Sequence, residues 1–170
     1  MPQVRITGKR LAVGDESRAL ISGEVHYWRL APPRWRDVLR RVRDMGLDVI
    51  STYVCWDYHE IAPDRFDFRG ETEPARNLIR FLDLVAEEGL WLLYRPGPYI
   101  YSEWVNMGVP DRAARYHRLH PEFLRMAEPY MAAVVEVARP FFATNGGPIV
   151  LFQADNEPDP WVYFYAAQQG

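Results

Sequence analysis

Apolar residues recur along this chain in two rhythms, and the alternation of the rhythms predicts an architecture. Trp35, Val38, Leu39, Val42 and Met45 follow one another at steps of three and four, the spacing of one buried helical face. Pro32 and Pro33 open that helix and Gly46 stops it. Directly after it, residues 47–54 (LDVISTYV) form a short run rich in β-branched side chains, which predicts a buried strand. The cycle repeats with a helix over residues 73–88, carrying Leu78, Ile79, Leu82 and Val85 on one side, and a strand LWLLYR over residues 90–95. It repeats again with a helix over residues 121–138, striped by Phe123, Met126, Tyr130, Met131 and Val134, and a strand IVLFQ over residues 149–153. At the N-terminal end, KRLAV and RALISGE read as two strands joined by a turn at Gly14 and Asp15, the second running on into the main sheet. The last ten residues, WVYFYAAQQG, read as the start of a fourth helix.

Near-continuously apolar strands alternating with amphipathic helices imply parallel strands covered by helices. Four β units then form either an open four-stranded sheet or half of an eight-stranded barrel. Short turns precede each strand and long, residue-rich loops follow each one, so elaboration is confined to the strands' C-terminal ends, where (β/α)8 barrel enzymes carry their chemistry. A complete barrel takes roughly 250 residues and this chain has 170. The fold expected is therefore α/β, about the first four β/α units of a TIM barrel, with residues 1–170 as the N-terminal half of one catalytic domain.

The formal net charge of −3, with acidic and basic residues interspersed, offers no basic stripe for nucleic acid. No apolar run approaches the length of a membrane span, and the N-terminus lacks the apolar core of a signal peptide, so a cytoplasmic location is expected. One cysteine, Cys55, leaves no internal disulfide and reads as a buried packing residue. The 14% of aromatic residues and 14 prolines concentrate in the loops after the strands. Rings placed there either fold over the barrel mouth or line a sugar cleft, since flat amphipathic rings suit the apolar faces of pyranoses.

Each strand end brings a polar cluster to the expected mouth: Glu24 to Tyr27, Tyr53 to Glu60, Arg95 to Trp104, and Gln153 to Glu157. Barrel glycosidases need one neutral carboxylic acid to protonate the departing oxygen and one ionised carboxylate to attack or to activate water. Asp155, Glu157 and Asp159 alternate but fail the calcium-loop pattern, because Pro160 stands where a glycine turn is needed, and zinc spacing is absent. No metal and no cofactor are expected.

The stretches ISGEVHYWR, GLDVISTYVCWDYHE, FDFRG, YRPGPYIYSEW and GGPIVLFQADNE occur in an order and spacing that resembles glycoside hydrolase family 35, the β-galactosidases, over roughly residues 18–157. The resemblance implies hydrolysis of terminal β-galactosides by a retaining mechanism, with Glu157 as acid/base and the nucleophile on a seventh strand outside this chain, so that residues 1–170 alone are expected not to turn over. It also implies that Asn156 bonds the sugar 2-hydroxyl, that Tyr53 and Glu103 contact other hydroxyls, and that Ser102 sits beside the sugar. The chain departs from the family pattern in three places: after strand four, where Asp155 replaces a glutamate and Pro158 an aromatic residue; at Ile61, where proline is usual; and over residues 106–112, which lack a Gly-Gly-hydrophobic-Pro-x-Trp run. Two other readings stay open: a barrel glycosidase of β-glucosidase or β-mannosidase type, and a non-catalytic carbohydrate-binding fragment whose sheet a partner or an oligomer completes. Glu24 reads as a loop anchor, and His26 and His59 as hydrogen-bonded structural residues.

Overall fold

The computed structural model describes residues 3–158; the expected fourth helix lies outside them. The chain opens with a three-stranded antiparallel meander, β1 (Val4–Thr7), β2 (Arg10–Val13) and β3 (Glu16–Ala19). A four-stranded parallel sheet follows, built from β4 (Ser22–Glu24), β5 (Val49–Tyr53), β8 (Trp91–Gly97) and β9 (Ile149–Ala154) in sequence order. Between β5 and β8 the chain forms the single turn α2 (Trp56–His59) and a hairpin of β6 (Glu60–Ala62) and β7 (Arg65–Phe66). The crossovers are α1 (Trp35–Asp44), α3 (Leu78–Glu87) and α5 (Pro121–Ala138), with the short α4 (Asp111–Ala114) in the loop before α5.

Strands that stay in sequence order and are joined by right-handed crossovers keep all their helices on one face. Side-chain alternation then divides the sheet. Ile50, Leu92 and Tyr94 join the main core with Leu39, Leu78, Leu82, Val85 and Val134 from the helices, and the Tyr94 hydroxyl bonds the Val134 carbonyl at 3.3 Å. Gly23 faces the same way; a Cβ there would come within 3.0 Å of Leu47. Glu24, Ser51, Tyr53, Arg95 and Gln153 occupy the opposite face.

The sheet's N-terminal ends are plugged by the meander. Leu11 of β2 packs with Val49, Trp91 and Val150 in a second cluster. Arg18 of β3 lies 4.3 Å over the Trp91 ring and donates to the Gly89 carbonyl at 2.8 Å. Three details differ from the sequence-based expectation. The segment RALISGE is two strands, because the chain leaves the meander at Leu20 and Ile21, both exposed, before entering the parallel sheet. Met45 keeps the apolar spacing of α1 but falls past the helix end and is 75% exposed. The second crossover helix starts at Leu78, because Pro74–Arg76 is a 3-10 turn and the Asn77 side chain caps Arg80 N–H at 2.9 Å.

The FDFRG segment is structural. Asp67 accepts from the backbone N–H groups of Arg69, Gly70, Glu71 and Thr72 and from the Thr72 hydroxyl. Burial alone would raise its carboxyl, but these bonds outweigh it and hold Asp67 well below the usual carboxylate range. His59 is fully buried against this loop, with Nδ1 2.6 Å from the Asp67 carbonyl and Nε2 against the Tyr27 hydroxyl. Burial lowers its pKa from 6.5 to about 4. A group kept neutral in the fold and free to protonate when unfolded contributes stability that is complete above pH 6.5 and lost as pH falls toward 4. That loss amounts to about 3 kcal/mol. Urea unfolding at pH 7 and pH 4 is expected to show it, and His59→Gln to flatten it; an equal pH slope in both proteins would contradict the assignment.

Candidate active site at the strand ends

Strand pairing sets the site. Glu24 pairs with Ser51, and Tyr53 with Arg95, in the parallel ladder, while Gly97 pairs with Ala154, so residues far apart in sequence meet on the open face at the strands' C-terminal ends. Arg95 is the hub. Its guanidinium donates to Glu24 Oε1 at 2.6 Å, Gln153 Oε1 at 2.9 Å and Asn156 Oδ1 at 2.9 Å. It also lies 3.8 Å over the Tyr53 ring, a cation–π contact. Each of the fork's planar directions thus finds an acceptor.

Asn156 is the second meeting point. Its Oδ1 also accepts from the Tyr53 hydroxyl at 2.9 Å and from Gln153 Nε2 at 3.0 Å. Burial raises the Tyr53 hydroxyl above its ordinary value, Arg95 opposes the shift, and the charges of Glu24 and Glu157 reinforce it. Glu157 therefore lies within electrostatic reach of Tyr53. Its residue is exposed, with left-handed backbone at φ 43°. Arg95, which could have neutralised Glu157, is committed to Glu24 instead.

Around this group, His26 stacks between Trp28 (5.0 Å) and Tyr53 (5.4 Å), with its Nδ1 buried and unbonded. Burial lowers its pKa, Glu24 opposes that, and Arg29 and Arg95 add to it. Ser102 Oγ lies 3.2 Å from His26 Nε2, and the Ser102 carbonyl accepts from Arg29. Glu103 stands further out: its side chain is 89% exposed and 3.7 Å from the Arg29 guanidinium. Tyr101, Ser102 and Glu103 all have left-handed backbone, at φ 58°, 47° and 48°. Three successive non-glycine residues in that region store roughly 1–2 kcal/mol each.

The structure thus brings Tyr53 and Asn156 into direct contact, places Glu157 beside them, sets Ser102 one histidine away, and leaves Glu103 on the rim. Trp104 at that rim donates to Asp57 Oδ2 at 2.9 Å and meets Trp28 edge-on at 5.1 Å. Glu60 is tied to Arg112 at 2.6 Å beneath the loops. Cys55 is fully buried, 3.7 Å from the Gly108 carbonyl, and its thiol is pushed up to about 12 by burial, which makes it a packing residue. Glu24, Arg95 and Gln153 carry more of the site than sequence reading gave them. Among the described residues no helix is long and apolar enough to cross a membrane.

Comparison with known proteins gives the frame for this geometry. The chain is 36% identical to an exo-beta-D-glucosaminidase of Thermococcus kodakarensis over 95% of its length and 23% of that protein. It is 34% identical to a beta-galactosidase of Bos taurus over 81% of its length and 21% of that protein. A beta-1,2-glucosyltransferase of Ignavibacterium album is 56% identical over 92 residues, 54% of this chain and 13% of that protein. The chain therefore spans under a quarter of the length of these relatives. Among solved structures, an exo-beta-1,4-mannosidase from Opitutaceae bacterium strain TAV5 superposes with a TM-score of 0.64 at 18% identity, over 84% of this chain and 26% of that one. An endo-1,4-beta-mannanase from Rhizomucor miehei does so with 0.64 at 14% identity, over 91% and 48%. These two likenesses speak for the fold alone. The model of glycosyl hydrolases family 35 matches residues 10–168, and the chain belongs to that family.

Proposed function

We propose that this chain is the first half of a (β/α)8 barrel in a retaining β-glycosidase, that Glu157 is its proton donor, and that the sugar at the reaction centre carries a free 2-hydroxyl, as a β-galactoside does. Glu157 protonates the departing oxygen and later takes a proton from water, while a glutamate on a later strand forms and releases the glycosyl-enzyme. Glu24, the other carboxylate at these strand ends, is held at Oε1 by Arg95 and Ser51 and is read as an anchor for Arg95.

The state of Asn156 carries the substrate reading. A guanidinium can only donate, so the Asn156 atom 2.9 Å from Arg95 Nη2 is the amide oxygen. With Tyr53 and Gln153 bonded there as well, that oxygen is saturated and the amide NH2 is the group left for a ligand. An NH2 donates to a 2-hydroxyl oxygen; a 2-ammonium group has no lone pair to receive it, and Arg95 adds repulsion. The arrangement therefore favours 2-hydroxy sugars, galactosides among them, over glucosaminides, although relatives bearing both names match.

The test is a panel of aryl β-glycosides on the full-length protein. Galactoside is expected to be cleaved and glucosaminide to be poor. Asn156→Asp offers the ammonium a carboxylate oxygen, a charge-assisted bond worth about 1.5–3 kcal/mol, and should shift the glucosaminide-to-galactoside ratio of kcat/KM upward by roughly 10–100-fold. Glucosaminide cleaved by the parent protein as fast as galactoside would contradict the reading.

A second reading rests on the 56% identity to the glucosyltransferase. The same glycosyl-enzyme transfers a glucosyl unit to a sugar hydroxyl when an acceptor outcompetes water. Product analysis with and without added glucose separates transfer from hydrolysis.

A further inference from the structure

We propose that Arg118 is a positioning residue that aims Glu157, acting through Asp155 and Tyr101; the proposal rests on the proton-donor reading given above. The turn that presents Glu157 puts that residue itself in a backbone conformation glutamate does not favour. Asp155 and Glu157 both have left-handed backbone, at φ 62° and 43°, a conformation that costs an ordinary residue roughly 1–2 kcal/mol. Something outside the turn must hold it.

Arg118 comes from the loop ahead of α5 and is itself buried. Its Nη1 donates to Asp155 Oδ2 at 2.7 Å and to the Asn156 carbonyl at 3.4 Å. Its Nη2 donates to the Tyr101 hydroxyl at 3.0 Å, and that hydroxyl donates to the Glu157 carbonyl at 3.5 Å. Its guanidinium also lies 4.3 Å over the Tyr99 ring. Asp155, gripped on one oxygen, uses the other to accept from the N–H groups of Asn156 at 3.0 Å and Tyr99 at 3.3 Å. One cation thus touches, directly or through one group, each of the three turn residues. Asp155 suits this place: a short carboxylate can cap the next N–H while its own backbone is left-handed, which aspartate tolerates better than most residues. That gives the aspartate in the ADNE sequence a physical role.

If Arg118 acts only through Glu157, its loss must resemble a weakened proton donor and not a damaged fold. In the full-length enzyme, Arg118→Met is expected to lower kcat/KM for an aryl glycoside with a poor leaving group by roughly 10–100-fold, since misplacement of about 1 Å costs on that order. KM should change little. The dinitrophenyl glycoside, whose leaving group needs no proton, should lose far less, and azide should accelerate its turnover by replacing the activated water. Arg118→Lys, which keeps the charge but not the fork, should fall between the two. Equal losses on both substrates with no azide effect, or no loss at all, would overturn the proposal. Glu157→Gln is run alongside: if that variant also lacks the leaving-group dependence, the reading of Glu157 fails instead, and the two failures are told apart.

Discussion

Glu157→Gln in the full-length enzyme is expected to lower kcat/KM for glycosides with poor leaving groups by roughly 10²–10⁴-fold, the range that general acid catalysis contributes. The amide keeps the size and polarity of the side chain but cannot deliver a proton. Binding should be nearly unaffected, because Asn156 and Tyr53 hold each other and Arg95 without using Glu157. The loss should shrink as the leaving group becomes more acidic. Kinetics across a series of aryl glycosides checks it: a uniform loss would assign Glu157 a structural role.

The second large effect is expected at Arg95. Arg95→Met removes the donor shared by Glu24, Gln153 and Asn156 and the cation over Tyr53. Asn156 then loses the bond that forces its oxygen inward, and its amide can turn, so the NH2 no longer meets the 2-hydroxyl. Glu24 is left without its counter-ion. Because the Glu24 side chain is 43% exposed, water compensates part of that loss, and the stability cost should be about 1–2 kcal/mol instead of the larger figure for a fully buried pair. The functional cost should be larger, at least about 100-fold in kcat/KM, since the sugar-facing groups lose their common geometry. Arg95→Lys should recover stability but little activity, since an ammonium cannot reproduce the fork. Thermal melts and kinetics on the two variants check this; recovery of activity by lysine would show that only the charge matters.

Much of the scaffold was readable because burial imposes a period on the sequence. The stripe of Phe123, Met126, Tyr130 and Val134 predicted α5, and the observed helix runs Pro121–Ala138. The β-branched run over residues 47–54 predicts a strand, and the observed one, Val49–Tyr53, is buried throughout. Period carries no information about which partner a strand chooses, and so RALISGE read as one strand although its halves join different sheets. β1 leaves little hydrophobic signal in the sequence, because only Val4 of its residues is partly covered and the rest are exposed.

The site was legible in its residue types and not in its connections. Tyr53, Ser102, Glu103, Asn156 and Glu157 were singled out through family resemblance, since loops that follow strands have no period to read. That Arg95 joins Glu24 to Asn156 depends on strand register, which a single sequence leaves open. Arg118 sits in RYHRLH, a stretch between predicted elements that carries no hydrophobic period. Only the folded chain shows it buried under the turn that carries Glu157.

A structure of the full-length enzyme with a galactose-derived imino sugar tests the account most directly. The expected result places the Glu157 carboxyl within hydrogen-bond reach, about 2.6–3.2 Å, of the atom standing for the glycosidic oxygen, with the Asn156 NH2 on the 2-hydroxyl. A ligand seated among these strand ends while the Glu157 carboxyl points to solvent, away from it, would contradict the account.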